Sequence, residues 1–599
     1  MPNVRLRRKG MVRVASGPAA GTRVWDRGIT REVRATVGVM PPEGMRRRRR
    51  FLRALSEVFP VDFEEREHGA WGELDAAVVI GGQSVAHEAP RIPVLRFMEP
   101  DAGRVHRTGE GSLVEFGSSL RIDARLRTRK LGEAALSAVS ERLTVGVPLA
   151  WDSRGAVWTA DPTGTDIETA LFAPTELDAG EALRDAFRPG RFLGLLPLVH
   201  LLRRITEYDR WVRPGPRAVF LFDDPNLHWP SYGHIRFAEL AEHARDHTYH
   251  VAFATVPLDG WLVHPRAARI FREARSNLSL TLHGNDHAYQ EFAVPIEKDA
   301  AVSIVEQAIR RIGRLERRTG LRVSRVMVPP HGLCSDAMLD AMLEPGVEAI
   351  CRAPVWWRDW TEDRILSARW AMADVSPAGA PVLGRHLLTD ARARDEVTLN
   401  LYLDQPAILY GHHYDLADGY GLLAEAAAWL NGFEGLEWCS LEALVRTNFV
   451  TLREDDRLRV RLFTRRAILR LEPRVASIEL ELPEYDAASS DVLICDGRQY
   501  ELRRSGGVVR ASVAVASGTS TLAIELVRRE RAARSARGLR PKALLRRGVG
   551  EMRDRVHPLV RRAGLESTLH GLETAYGRRA RARVEERRSR STHRGSGGA

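Results

Sequence analysis

Short runs of consecutive apolar residues, separated by helix-length segments of mixed polarity, recur through the first three quarters of the chain. That pattern belongs to buried parallel strands alternating with surface helices. Residues 33–40, 75–80 and 92–98 read as strands, with a helix over 45–58 between the first two. They predict an N-terminal α/β domain over 33–212, flavodoxin-like in layout, behind a basic leader at 1–32. The pair Gly81-Gly82 ends the second strand but has neither GxGxxG nor GxxxxGK[ST] around it, so it reads as a structural turn.

An amphipathic helix over 193–206 is followed by Arg213-Pro214-Gly215-Pro216, a cluster of helix breakers that marks a boundary. Seven further strands are predicted at 218–222, 250–255, 278–282, 322–328, 347–351, 397–401 and 407–410. Seven strand–helix units over 213–450 suggest a deformed (β/α)7-type barrel, whose strand C-termini would line one mouth. From 451 to 530 the pattern changes to strict alternation, as in Leu458-Arg-Val-Arg-Leu462, with turns at Asp496-Gly497 and Gly506-Gly507. This predicts a small antiparallel, β-sandwich-like domain. The remainder, 531–599, reads as a basic tail with helical patches around 553–565 and a disordered Arg/Ser/Gly end.

Length and composition agree with several cores: 599 residues, 44% hydrophobic and 7% aromatic, fit three or four globular units. The formal charge of +12 is unevenly spread. Residues 531–599 hold 19 Arg or Lys against 6 Asp or Glu, a local +13, which leaves −1 for the rest. A near-neutral body without a recognition motif argues against nucleic acid as a partner. The tail alone is suited to an anionic membrane surface. Four cysteines without CxxC spacing indicate neither a zinc knuckle nor a disulfide framework. The leader has positive charges but no apolar h-region, and the strongest apolar run, 192–202, is broken by Pro197 and His200. An unprocessed, cytoplasmic protein is expected.

The chemistry concentrates at two predicted strand ends. The strand 218–222 runs into Asp223-Asp224, and adjacent carboxylates in a water-poor setting require a neutralising cation. The strand 278–282 runs into His283-Gly-Asn-Asp-His287, where an i, i+4 pair on one helical turn would aim two imidazoles at one point. Two imidazoles and a carboxylate leave coordination positions open, the mark of a catalytic rather than a structural site.

Phe222-Asp223-Asp224 and His283–His287 resemble the first and second motifs of NodB-homology polysaccharide deacetylases, carbohydrate esterase family four. Val328-Pro-Pro330-His331-Gly332 resembles the family's Arg-x-Pro-x-Gly loop, and Asp359-Trp360 the end of its fourth motif. His412 or His413 follows a strand as the late catalytic histidine does. The resemblance spans about 217–450. It implies Asp223 as general base, Asp224, His283 and His287 as ligands of a divalent metal, expected to be zinc, and His412 or His413 as general acid. A carboxylate to take a proton from water and an imidazole to return one to the leaving group are what such a hydrolysis needs.

The chain departs from the family at several points. Val328 stands where the third motif has Arg, so nothing there can hold Asp223; Arg352 or Arg358 could substitute from the next strand. Pro225 follows Asp224 where Gly is frequent; His228, as a further ligand or a substrate contact, and the sugar-stacking rings of Trp229 and Tyr232 join Pro330, His331, Asp359 and Trp360 as expected substrate-binding residues. The expected function is removal of an N- or O-linked acetyl group from a carbohydrate or glycoconjugate. The alternative is a catalytically degenerate barrel serving as a glycan-binding or scaffold protein.

Overall fold

A strand covered on both faces runs apolar through its middle: Arg217–Asp223 (β1) is buried at all seven positions, with Ala218 to Phe222 apolar between a charged residue at each end. It lies in a curled sheet of parallel strands: β2 (Val251–Thr255), β3 (Leu278–His283), β4 (Val323–Val328) and β5 (Ala349–Arg352) follow on one side, and β7 (Ala407–Gly411) lies on the other. The sixth strand, β6, is split. Pro381–Gly384 pairs with β5, and past Arg385 the short His386–Leu387 pairs with β7, so one stretch of chain joins the two ends of the sheet. The computed structural model describes residues 34–81, 92–99, 112–134, 136, 142–163, 165–206, 208–288, 291–293, 297–353, 362–485, 491–505, 508–529 and 541–562.

One predicted strand is wrong. Residues 397–401 lie in the helix Ala393–Tyr402, and β6 takes the sixth place instead. In that helix Val397 to Tyr402 are buried without interruption, so the segment lacks the polar face by which a surface helix is recognised.

The N-terminal sheet has nine strands in the order Val61–Glu65, Ala35–Met40, Ala76–Ile80, Val94–Glu99, Ile167–Phe172, Gly155–Ala160, Val147–Asp152, Ser112–Phe116, Lys130–Glu133. The first five run parallel and include the strands read from sequence; the other four run antiparallel, which an all-parallel layout omits. Its core is not its own. Leu366, Trp370, Leu399, Tyr402 and Leu403 from the barrel side pack into it. Beneath them Asp404 meets Arg125 of the N-terminal unit, Arg213 at 3.2 Å and the Tyr208 hydroxyl. Burial works to raise the Asp404 carboxyl, but Arg125, Arg203 and Arg213 hold it below its ordinary value.

After Phe449, a five-stranded and a four-stranded sheet enclose one core containing Leu458, Ile478, Leu480, Val509, Leu493 and Ile524. At its edge Asp491 is closed in by Arg465 at 2.9 Å, Arg528 at 2.8 Å and the Tyr485 hydroxyl.

The tail is not simply solvated, as its composition suggests. Pro541–Arg562 is a helix that returns to the barrel: Ala543 joins a small apolar cluster with Val256 and Leu258, and Asp554 is buried. No helix among the described residues is long and apolar enough to cross a membrane. The leader 1–32, Gly82, the turn at 506–507, Arg358, Asp359, Trp360 and residues 563–599 lie outside the described residues.

Candidate metal centre

The C-terminal ends of β1 and β3 are neighbours across β2, and this brings Asp224, His283 and His287 together. The Asp224 Oδ1 lies 2.9 Å from His287 Nε2 and 3.4 Å from His283 Nε2. One ligand atom from each lies within 4.8 Å of the other two, and among the described residues no other His, Cys, Asp or Glu group converges in this way. The His283 Nδ1 lies 2.9 Å from the Val328 carbonyl oxygen, which can only accept. Nδ1 therefore carries a proton, and Nε2 is the nitrogen turned to the site.

The His-x-x-x-His stretch is not a helical turn. Residues 284–287 form a loop in which Gly284 (φ 64°) and His287 (φ 51°) are left-handed. A Cβ on Gly284 would fall 2.1 Å from Glu291 Oε1 and 2.6 Å from Pro330, so only glycine fits. Glu291 ties the loop down by accepting from the backbone N–H groups of Asn285 (2.7 Å), Asp286 (3.2 Å) and His287 (3.2 Å). Asp224 is left-handed as well, with φ 69°. Such backbone costs about 1–3 kcal/mol at a non-glycine residue and persists only where surrounding contacts enforce it.

Burial would raise both carboxyls. Asp224 is nonetheless held well below the ordinary carboxylate range by His287 and His283. Asp223 is held below its ordinary value by Arg385, whose Nη1 donates to Oδ1 at 2.7 Å, with His283 and His412 adding their charges. Arg385 sits in the break of β6, 2% exposed, its guanidinium 4.1 Å from the Tyr410 ring centre. It fills the role left open by Val328. The substitutes expected from sequence were Arg352 and Arg358; Arg352 instead points its Nη1 at the Cys334 carbonyl, 3.5 Å away. The signal that could have found Arg385 is its place between two half-strands, which only the pairing reveals.

The two late histidines part company. His412 stacks on Tyr414 and is close enough to Asp223 for its charge to act there. His413 is buried against Tyr232 (4.8 Å between rings) and lies 3.5 Å from the Asp554 carboxylate of the C-terminal helix. Tyr232 is not a stacking platform: it is buried and its hydroxyl donates to the Asp223 carbonyl at 3.0 Å. His228 stands outside the ligand cluster, its Nε2 3.1 Å from the Asp259 carbonyl. Trp229 is half-exposed on the rim, near-parallel to His264, with Arg555 over its ring. Pro330 is buried, and the ring of His331 lies 5.4 Å from that of His287.

Sequence reasoning also missed the cover. The C-terminal helix crosses the mouth with Arg547 turned inward, 3.5 Å from Asp224 Oδ1 and bonded to the Asp259 carboxylate at 2.5 Å. His557 contacts His234 at 3.0 Å, and Arg561 pairs with Asp418 at 2.6 Å.

No family model matches the sequence, and no curated protein matches it. Solved structures do match. A Mycobacterium smegmatis protein provisionally named a polysaccharide deacetylase is 13% identical over 39% of this chain and 93% of its own, with a TM-score of 0.28. A family 4 carbohydrate esterase from Streptomyces lividans, in complex with acetate, is 13% identical over 38% and 94%, with a TM-score of 0.25. A CE4 family pseudoenzyme from Bacillus anthracis is 12% identical over 39% and 66%, with a TM-score of 0.24.

Proposed function

We propose that the barrel mouth holds one divalent metal ion, zinc by the donor set, on Asp224, His283 and His287, and hydrolyses an N- or O-linked acetyl group of a carbohydrate or glycoconjugate. The observation that carries the reading is the convergence of these three donors beside a second, separately held carboxylate. The residues fit the ion: two imidazole nitrogens and one carboxylate suit a borderline cation, and the proton on His283 Nδ1 leaves Nε2 free to bind. A bound cation would polarise the acetyl carbonyl.

The chain's own groups divide the proton transfers. Asp223, kept ionised by Arg385, accepts a proton from the attacking water. Pairing with Arg385 also lowers its basicity, so it works as a positioned acceptor rather than a strong one. His412, not His413, is placed to give a proton to the departing nitrogen or oxygen, because His413 is enclosed by Tyr232, His234 and Asp554. Water adds to the carbonyl carbon, the bond to the sugar substituent breaks, and acetate leaves with the free amine or hydroxyl. Asp223→Asn should lower acetate release by ~10² to 10⁴ while metal content is kept. Loss of metal in that variant would make Asp223 a ligand, and unchanged release would end the hydrolase reading.

The second reading, a degenerate barrel serving as a scaffold, draws support from the helix across the mouth. A chain ending at residue 540 separates the two. With metal bound, it should release acetate from acetylated sugars faster than the full chain; if it binds metal and releases none, the scaffold reading stands.

A further inference from the structure

The C-terminal helix is built inside out for a surface helix of a globular domain. Such helices turn their apolar stripe to the core and their charges to water. Here Ala543, Arg547, Asp554, His557 and Arg561, spaced by three, four or seven residues, face the barrel, and all but Ala543 engage it through polar contacts. The opposite face carries Leu545, Val549, Met552, Val556 and Leu559 at steps of four, three, four and three. These are 72%, 63%, 67%, 39% and 61% exposed. The inward contacts fix the helix about its axis, so this row is held outward.

A contiguous exposed apolar row of this kind marks an interaction surface. Two neighbouring features say what it meets. The row is flanked by Lys542, Arg546 and Arg553, and the chain from 531 onward carries 19 basic against 6 acidic residues. Beside the helix the rim exposes Trp229 (50%), Trp261 (61%) and Leu262 (44%), with Arg555 over the Trp229 ring and Arg547 paired to Asp259, two residues before Trp261. Amphipathic rings and a basic-flanked apolar stripe on one face suit the boundary between anionic headgroups and acyl chains.

We propose that the outward face of the C-terminal helix, with the rim around Trp229 and Trp261, docks on an anionic membrane surface, so that the barrel mouth faces the bilayer. A second copy of the chain fits the face poorly, since a symmetric pairing would bring two basic flanks and two basic tails together. Nucleic acid fits poorly too, because the middle of the face offers its phosphates only aliphatic side chains. The proposal does not depend on the hydrolase reading.

The test is co-sedimentation of the full chain with vesicles of phosphatidylcholine alone and of equimolar phosphatidylcholine and phosphatidylglycerol. The full chain should partition onto the anionic vesicles, weakly or not at all onto the neutral ones, and less as salt is raised. Leu545→Glu with Met552→Glu, both at exposed positions, should lower that partitioning by roughly tenfold or more, with melting temperature and metal content unchanged. Partitioning that survives the double substitution would leave the basic residues alone responsible and overturn the proposal. So would equal binding to neutral vesicles, or binding to neither. Self-association that the double substitution abolishes, without lipid binding, would assign the face to a second copy.

Discussion

Two clusters of buried carboxylate stand in one chain and behave as opposites. In the β-domain, Asp491 has both oxygens filled by Arg465, Arg528 and Tyr485, and its side chain is wholly inaccessible. At the barrel mouth the carboxylate pair is divided. Asp223 has a permanent guanidinium partner, whereas Asp224 faces two imidazoles and a longer contact to Arg547, with its side chain 21% exposed. A buried acid is therefore no sign of a site by itself. What separates the two is whether its partners are fixed cations or imidazoles that an ion could share.

The sharpest break in the comparison is Asp491→Ala, which takes from the buried Arg465 guanidinium its carboxylate and from that of Arg528 one of two. It should cost about 3–5 kcal/mol in denaturant unfolding, toward the lower end because Arg528 keeps Asp340 as a partner, and should leave metal content unaltered. His283→Ala or His287→Ala should do the reverse. Metal affinity by titration should fall at least ~10-fold while the far-UV spectrum stays the same. A large loss of stability in these variants would make the mouth another structural cluster.

Acid sharpens the contrast. Burial alone would raise the Asp491 carboxyl, but Arg465 and Arg528 hold it below its ordinary value. Its contribution is then complete above the unfolded-state value near ~4 and is lost as pH falls below that toward the folded one. The stability gap between the wild-type chain and Asp491→Asn, measured from denaturant midpoints, should close over this window and stay constant above it. The smallest expected effect is at Arg547. Arg547→Gln removes a positive charge beside Asp224 and should raise divalent-metal affinity several-fold, up to about 10-fold, by titration.

The sequence exposed those parts of the site that follow a strand directly. Asp223-Asp224 and His283 come at the ends of apolar runs, so their convergence could be expected from a barrel alone. Arg385 could not, because it belongs to a strand of broken pairing that carries too few apolar residues in a row to be seen. The nearby Val-Thr-Leu-Asn-Leu of 397–401 has the composition of a strand, and because its helix is buried on every side no polar face marks it as one. Glu291 was invisible for another reason: it holds backbone, not side chains, and no spacing announces that. In the tail, the count of basic residues masked an ordered three- and four-residue spacing of inward groups.

The seam at Asp404 bears on how such a chain can be divided. The Pro-Gly-Pro stretch near Pro214 has the composition of a domain boundary. Across it, however, Arg125 and Arg213 neutralise an acid that belongs to the other side, and Trp370 and Tyr402 complete a core they do not belong to in sequence. Cutting there would leave Asp404 without the cations that compensate its burial and would expose aromatic surface on both fragments. The halves are thus not interchangeable parts, and separating them without loss of stability would require changes on both sides of the seam together.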